Sequence, residues 1–187
     1  GSTLSGAWAV FARLVAGSFI FLSGFSLILA HGKRFRMRAW LRRTSTILAA
    51  ALLVTSTTYL AMPNQFIYFG ILHAIATFSL LGPIFLSFPV WALAGSAIWV
   101  LVVSHLFARS LFDSHYLAWT GLSANVPPSL DLIPFFPWFA VYLLGAVAAR
   151  ALSSDRLDIV KPTPLWNWLA VPGRHSLVLY LLHQPLL

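Results

Sequence analysis

Polar residues in this chain gather in a few clusters, and the stretches between them are apolar enough to be read as membrane spans. A spanning helix takes about 20 predominantly apolar residues. Six runs approach or meet that length, at roughly 8–30, 44–62, 66–86, 90–107, 134–152 and 175–187. The pattern predicts an all-α fold, a polytopic transmembrane bundle of about six spans. In the first run Gly17 and Gly24 stand seven apart with Ser18 and Ser23 beside them, a smooth face for close packing against another helix. The second run stops at Pro63-Asn64, and its Thr55, Ser56, Thr57 and Thr58 are expected to bond back to carbonyls of their own helix. The third carries His73 about two turns in from its start, with Gly70 and Thr77 on the same face, and should kink at Gly82-Pro83. In the fifth, Pro134 and Pro137 fit a helix start, while Trp138 and Tyr142 fit an interfacial aromatic belt.

The sixth run, GRHSLVLYLLHQP from Gly173 to Pro185, has a polar face. At 3.6 residues per turn Ser176, Tyr180 and Gln184 share one line, and His175 and His183 share the next. Hydrocarbon cannot satisfy these groups, so they must face protein or a water-filled cavity. From His175 onward the run offers about 20 Å of helix against the ~30 Å of a bilayer core. The chain therefore reads as a single transmembrane domain, 1–187, truncated at both ends and drawn from a longer protein.

Composition supports the membrane reading. The chain is 59% hydrophobic and 9% charged, contains no Glu, and has a mean hydropathy of +0.84; a soluble domain carries about a quarter charged residues. The net charge of +8 is not spread as a nucleic-acid footprint. Lys33, Arg34, Arg36, Arg38, Arg42 and Arg43 crowd the gap between the first two runs, and Arg150, Arg156, Lys161 and Arg174 flank the stretch before the last. The positive-inside rule assigns both segments to the cytoplasm. The N-terminus then falls outside, with residues 108–133, which carry Asp113, His115, Asn125 and Asp131. Arg13, inside the first run, either snorkels to the headgroups or is a buried partner for a carboxylate such as Asp131. The absence of Cys excludes disulfides, a thiolate nucleophile and Cys-ligated metal.

Counted from opposite sides, His73 and His183 both approach the bilayer midplane. A buried histidine is held neutral, which leaves one ring nitrogen as a proton acceptor. His183 and His73 are thus the catalytic candidates, with Tyr180 and Gln184 as hydrogen-bond donors beside them. Asn125, Asp131, His175 and Arg13 are candidates for substrate binding or bracing. No metal is expected, because the chain has no HxxxH or HExxH pair and no carboxylate near either histidine in sequence. It also has no GxSxG and no Gly-rich phosphate loop. Arg34, Arg36, Arg42, Arg43 and Arg174 either orient the protein only or also hold the phosphates of a cytosolic cofactor such as a coenzyme A ester. Three functions stay open on the residues alone: an enzyme, a proton-linked small-molecule permease, and a non-catalytic membrane scaffold.

FARLVAGSFIFLSGFSL (Phe11–Leu27), FGILHAIATFSLL (Phe69–Leu81), DLIPFFPWF (Asp131–Phe139) and GRHSLVLYLLHQPLL (Gly173–Leu187) resemble, in order, motifs of bacterial membrane proteins similar to the heparan-alpha-glucosaminide N-acetyltransferase catalytic domain. The resemblance implies a multi-pass acyltransferase of the bacterial inner membrane. It would move an acyl group, acetyl first of all, from cytosolic acetyl-CoA or another acyl-CoA to a small-molecule acceptor such as a sugar on the far side. His73, Asp131, Arg174, His175, His183 and Gln184 would line or brace the site. The partners implied are membrane lipid and the small-molecule acceptor, with no nucleic acid and oligomeric assembly left open. Leu132 stands where the family usually has an aromatic and Ala140 where it usually has Gly, and the family's opening helix, with its Asp-Arg and His-bearing motifs, has no counterpart in this chain.

Overall fold

The computed structural model describes residues 3–32, 34–64, 66–106, 115–123 and 131–152. These form α1 (Thr3–His31), α2 (Met37–Ala61), α3 (Ile71–Leu81) continued by a 3-10 segment (Gly82–Ser87), α4 (Val90–Leu106), the short α5 (His115–Ala118) and α6 (Phe135–Ala151). Among the described residues there is no strand, only an isolated bridge between Phe69 and Leu132. Val10–His31 and Met37–Ala61 are long and apolar enough to cross a membrane, while Ile71–Ser87, Val90–Leu106 and Phe135–Ala151 are shorter apolar helices. The sixth expected span lies outside the described residues. The all-helical class stands; a count of six spans does not follow.

The helices pack through their smallest residues. α1 lies against α6, α6 also against α4, and α2 against α3. At the α1–α6 crossing, a Cβ on Gly24 would strike the Tyr142 carbonyl, and one on Gly145 would strike the Phe21 carbonyl. The two backbones therefore touch in reciprocal fashion, each glycine seated on the partner's main chain. Gly17, two turns earlier, faces the Trp138 ring at 3.4 Å. The smooth face expected from the Gly17–Gly24 spacing is this contact. Leu14, Leu60, Trp91 and Trp99 point outward instead, each more than 60% exposed, the arrangement expected of a bundle whose solvent is hydrocarbon.

An aromatic core fills the space among α3, the 3-10 segment and α6. Phe78, wholly buried, contacts the rings of Phe135, Phe139 and Tyr142 at centroid distances of 5.5, 5.2 and 5.7 Å. Tyr142 is 1% exposed. That corrects its expected place in an interfacial belt: stacked on Phe139 and seated at the α1–α6 crossing, it belongs to the core.

Three boundaries differ from expectation. α2 starts at Met37 rather than Thr44, so Arg38, Arg42 and Arg43 ride on its first two turns. Long basic side chains extend outward without breaking a helix, so polarity marked the end of the apolar run but not of the helix. α3 starts at Ile71 rather than Phe66, because the segment before it is drawn out to meet residues 131–133, with the Ile133 N–H donating to the Phe69 carbonyl at 3.1 Å. The expected kink at Gly82-Pro83 is instead a tightening from α to 3-10 geometry, with Pro83 in its first turn. In α6, Phe136 is extended and the regular helix runs on from Pro137, a position where the missing N–H costs nothing.

Candidate functional site

The described polar groups concentrate at the two ends of the bundle. At one end, α2 finishes, α3 begins and the segment before α6 arrives. Ile67 is clasped by the last turns of α2: its carbonyl accepts from the Thr55 hydroxyl at 2.8 Å, and its N–H donates to Thr58 Oγ1 at 3.1 Å. Thr55 Oγ1 also lies 3.1 Å from His73 Nε2. The other ring nitrogen, Nδ1, takes the Gly70 N–H at 3.3 Å.

These contacts assign the tautomer of His73. The Thr55 proton is committed to the Ile67 carbonyl, so the oxygen can only accept from His73. Nε2 therefore carries the hydrogen, and Nδ1 offers its lone pair to Gly70. The ring is neutral and both nitrogens are engaged. It ties α2, the extended 66–70 segment and the first turn of α3 together.

Asp131 completes this end. Its Oδ2 accepts the Ile71 N–H at 3.2 Å, so a carboxylate from a distant part of the chain satisfies a free donor of the first turn of α3. A negative group there is also favoured by the helix dipole. The approach needs glycine at position 70, since a Cβ would come within 2.7 Å of Asp131 Oδ2. Burial pushes the Asp131 carboxyl above the ordinary carboxylate range, and the Ile71 hydrogen bond pulls in the opposite direction. Trp119 and Phe135 link this end to the core: the Trp119 ring lies 5.3 Å from Phe69 and 6.3 Å from Phe135, while the Phe135 N–H donates to the Trp119 carbonyl at 2.7 Å.

Removing the carboxyl, Asp131→Ala, should destabilise the protein by about 1–2 kcal/mol, the usual range for losing a helix cap. Asp131→Asn keeps an acceptor and should cost less. The pKa direction also fixes a sign. A carboxyl whose folded pKa is raised contributes stability at low pH that is lost as pH climbs through the unfolded and then the folded value. Thermal melts of wild type and Asp131→Asn should therefore diverge in favour of Asn as pH rises from the carboxylate range toward neutrality. A constant gap would show that ionisation of Asp131 is not coupled to folding.

At the opposite end Arg34, Arg36, Arg42 and Arg43 all lie exposed around the α1–α2 turn. The turn is held by buried His31, whose Nδ1 accepts the Arg36 N–H at 3.2 Å and whose ring packs 5.3 Å from Phe35. Arg43 reaches inward, with Nη2 3.4 Å from Ser23 Oγ. The Trp40 indole N–H donates to the Ser79 carbonyl at 2.8 Å, pinning the start of α2 to the end of α3. Arg150, at the end of α6, donates to the Leu86 carbonyl. Exposed guanidiniums around one turn can grip phosphate oxygens, whichever way the chain lies in a membrane.

The structure thus brings His73 and Asp131 to one end, both acting on the first turn of α3, and Arg34, Arg36, Arg42 and Arg43 to the other. Arg13 is exposed on α1. Asn125, Arg174, His175, Tyr180, His183 and Gln184 lie outside the described residues. His73 is in the first turn of α3, not two turns deep, because the helix begins five residues later than the hydropathy implied. Thr55 departs from the back-bonding expected of it. Its neighbours Ser56, Thr57 and Thr58 do bond to the carbonyls of Leu52, Leu53 and Val54. Thr55 turns away to Ile67 and His73, and only its position opposite α3 distinguishes it. His31 was overlooked, although a histidine closing a helix just before a basic loop is a legible signal.

The family model described as heparan-alpha-glucosaminide N-acetyltransferase, catalytic, matches residues 1–185. No curated protein and no solved structure matches the chain.

Proposed function

Since this chain belongs to the heparan-alpha-glucosaminide N-acetyltransferase catalytic family, we propose that it is the helical body of a membrane acyltransferase that carries acetyl from acetyl-CoA to a small-molecule acceptor, a sugar first of all. The family match along almost the whole chain carries this reading, and the polarity of the bundle is consistent with it. The cationic end is cytosolic by the positive-inside rule. Its exposed Arg34, Arg36, Arg42 and Arg43 hold the phosphates of the acyl donor, a role the sequence reading extends to Arg174.

Acyl transfer needs a base for the acceptor's hydroxyl or amine and donors for the oxyanion that forms on the thioester carbonyl. His183 supplies the base, and Tyr180 and Gln184 supply the donors. Asn125 and Asp131 brace the acceptor side, His175 braces the donor side next to Arg174, and Arg13 stays with the headgroups. His73 has both nitrogens bound within the fold. That favours a holding role over the proton transfer expected of it from sequence.

The test is transfer itself. Liposomes of the purified full-length protein, given acetyl-CoA labelled in the acetyl group on the side of the cationic end, should pass label to a sugar acceptor trapped on the opposite side. Solute flux without label transfer would establish a permease instead, and neither activity would leave a scaffold.

A further inference from the structure

Below the cationic end, four elements meet around the last turn of α3, and three buried hydroxyls there lack a hydrogen-bond partner among the described residues. The Trp40–Ser79 bond fixes α2 against α3 at this level. Thr44 sits one turn further along α2 at 4% exposure, Ser79 is at 3%, and Tyr142 comes in from α6 at 1%. The Tyr142 hydroxyl lies directly over Gly82, one turn beyond Ser79, where a Cβ would strike it. Thr44 Oγ1, Ser79 Oγ and Tyr142 OH have no hydrogen-bond partner among the described residues.

For Thr44 and Ser79 this departs from the habit of the chain. Ser18, Ser26, Thr46, Ser56, Thr57, Thr58, Ser96 and Ser104 all satisfy themselves on a carbonyl of the preceding turn. An apolar residue of similar shape would fill each place without an orphaned hydroxyl, so the three together mark a polar occupant. A hydroxyl both donates and accepts, and no carboxylate is described beside these three. That chemistry fits a small neutral molecule able to do both. Arg43 joins the interior to the surface here: its side chain is exposed, yet its guanidinium reaches buried Ser23 on α1, next to the glycine that carries Tyr142.

We propose that Thr44, Ser79 and Tyr142 form an internal water-binding site in the cationic half of the bundle, with Arg43 at its rim. Ordered water makes two to four hydrogen bonds to otherwise unsatisfied buried groups, and these three hydroxyls are groups of that kind. The site gives the α2–α3–α6 junction a wet point reached from the cationic end, and it stands whether or not the protein transfers acyl groups.

Radiolytic hydroxyl-radical footprinting of the protein in lipid nanodiscs tests it, because side chains beside bound water are oxidised even when buried. Tyr142 should label several-fold faster than Phe78 and Phe139, which are equally buried and in ring contact with it. The double variant Thr44→Val, Ser79→Ala should remove that excess. Labelling of Tyr142 as slow as that of Phe78 overturns the proposal, and so does fast labelling that persists in a folded double variant. If the double variant does not fold, the wild-type comparison alone decides.

Discussion

Gly24→Ala should cost the bundle about 2–3 kcal/mol, the upper range for forcing atoms into a packed interior, although it adds a single methyl group to an apolar helix. That methyl would overlap the Tyr142 carbonyl, so α1 and α6 would have to separate along their contact. Gly145→Ala should cost as much through the Phe21 carbonyl. The pair should be less than additive, because helices already parted by the first methyl have room for the second. Gly95→Ala on α4 is the control: its Cβ meets nothing within 4 Å. There the gain in helix propensity should leave the protein unchanged or up to about 1 kcal/mol more stable. Melting curves of the detergent-solubilised variants measure all four. Equal melts for Gly24→Ala and Gly95→Ala would mean that the helices do not cross at these glycines.

The second large effect separates the two histidines. His183→Ala in the full-length protein should abolish acyl transfer, a loss of about 10²–10⁴-fold if the ring acts as general base, while membrane insertion stays intact. His73 should behave differently. His73→Ala removes both the donor to Thr55 and the acceptor for Gly70, so it should lower the melting temperature along with activity. Gln can offer one donor and one acceptor from a similar reach, and His73→Gln should recover most of both. The pH dependence of kcat/KM should then remain that of wild type, because the titrating group is elsewhere. A folded His73→Gln protein without activity would return His73 to the chemistry.

Much of this architecture was legible in the hydropathic runs, because a bundle in hydrocarbon must be apolar on its outside as well as within. The Gly17–Gly24 spacing marked the packing face of α1 without its partner, and the serine and threonine run in α2 announced its own back-bonding, Thr55 excepted. The start of α3 was hidden for a related reason: Phe66–Phe69 is as apolar as the helix it precedes, and its extended course is fixed by pairing with Leu132 and Ile133, which are far away in sequence. Asp131 could be flagged as a rare acid, but a helix cap supplied from another segment leaves no local pattern. Tyr142 looked interfacial because a tyrosine is amphipathic in any setting, and only tertiary packing turned its hydroxyl inward.

The reciprocal glycine contact also bears on how the protein is made. The first and last of the described helices are partners, so α1 emerges well before the segment that will cover its smooth face. At translation rates of about 5–20 residues per second, α6 follows on the order of ten seconds later. In that interval the α2–α3 pair, neighbours in sequence, can form, while α1 presents bare main chain at Gly24 to whatever helix drifts against it. Biogenesis of this fold therefore depends on keeping an early helix uncommitted until its late partner arrives.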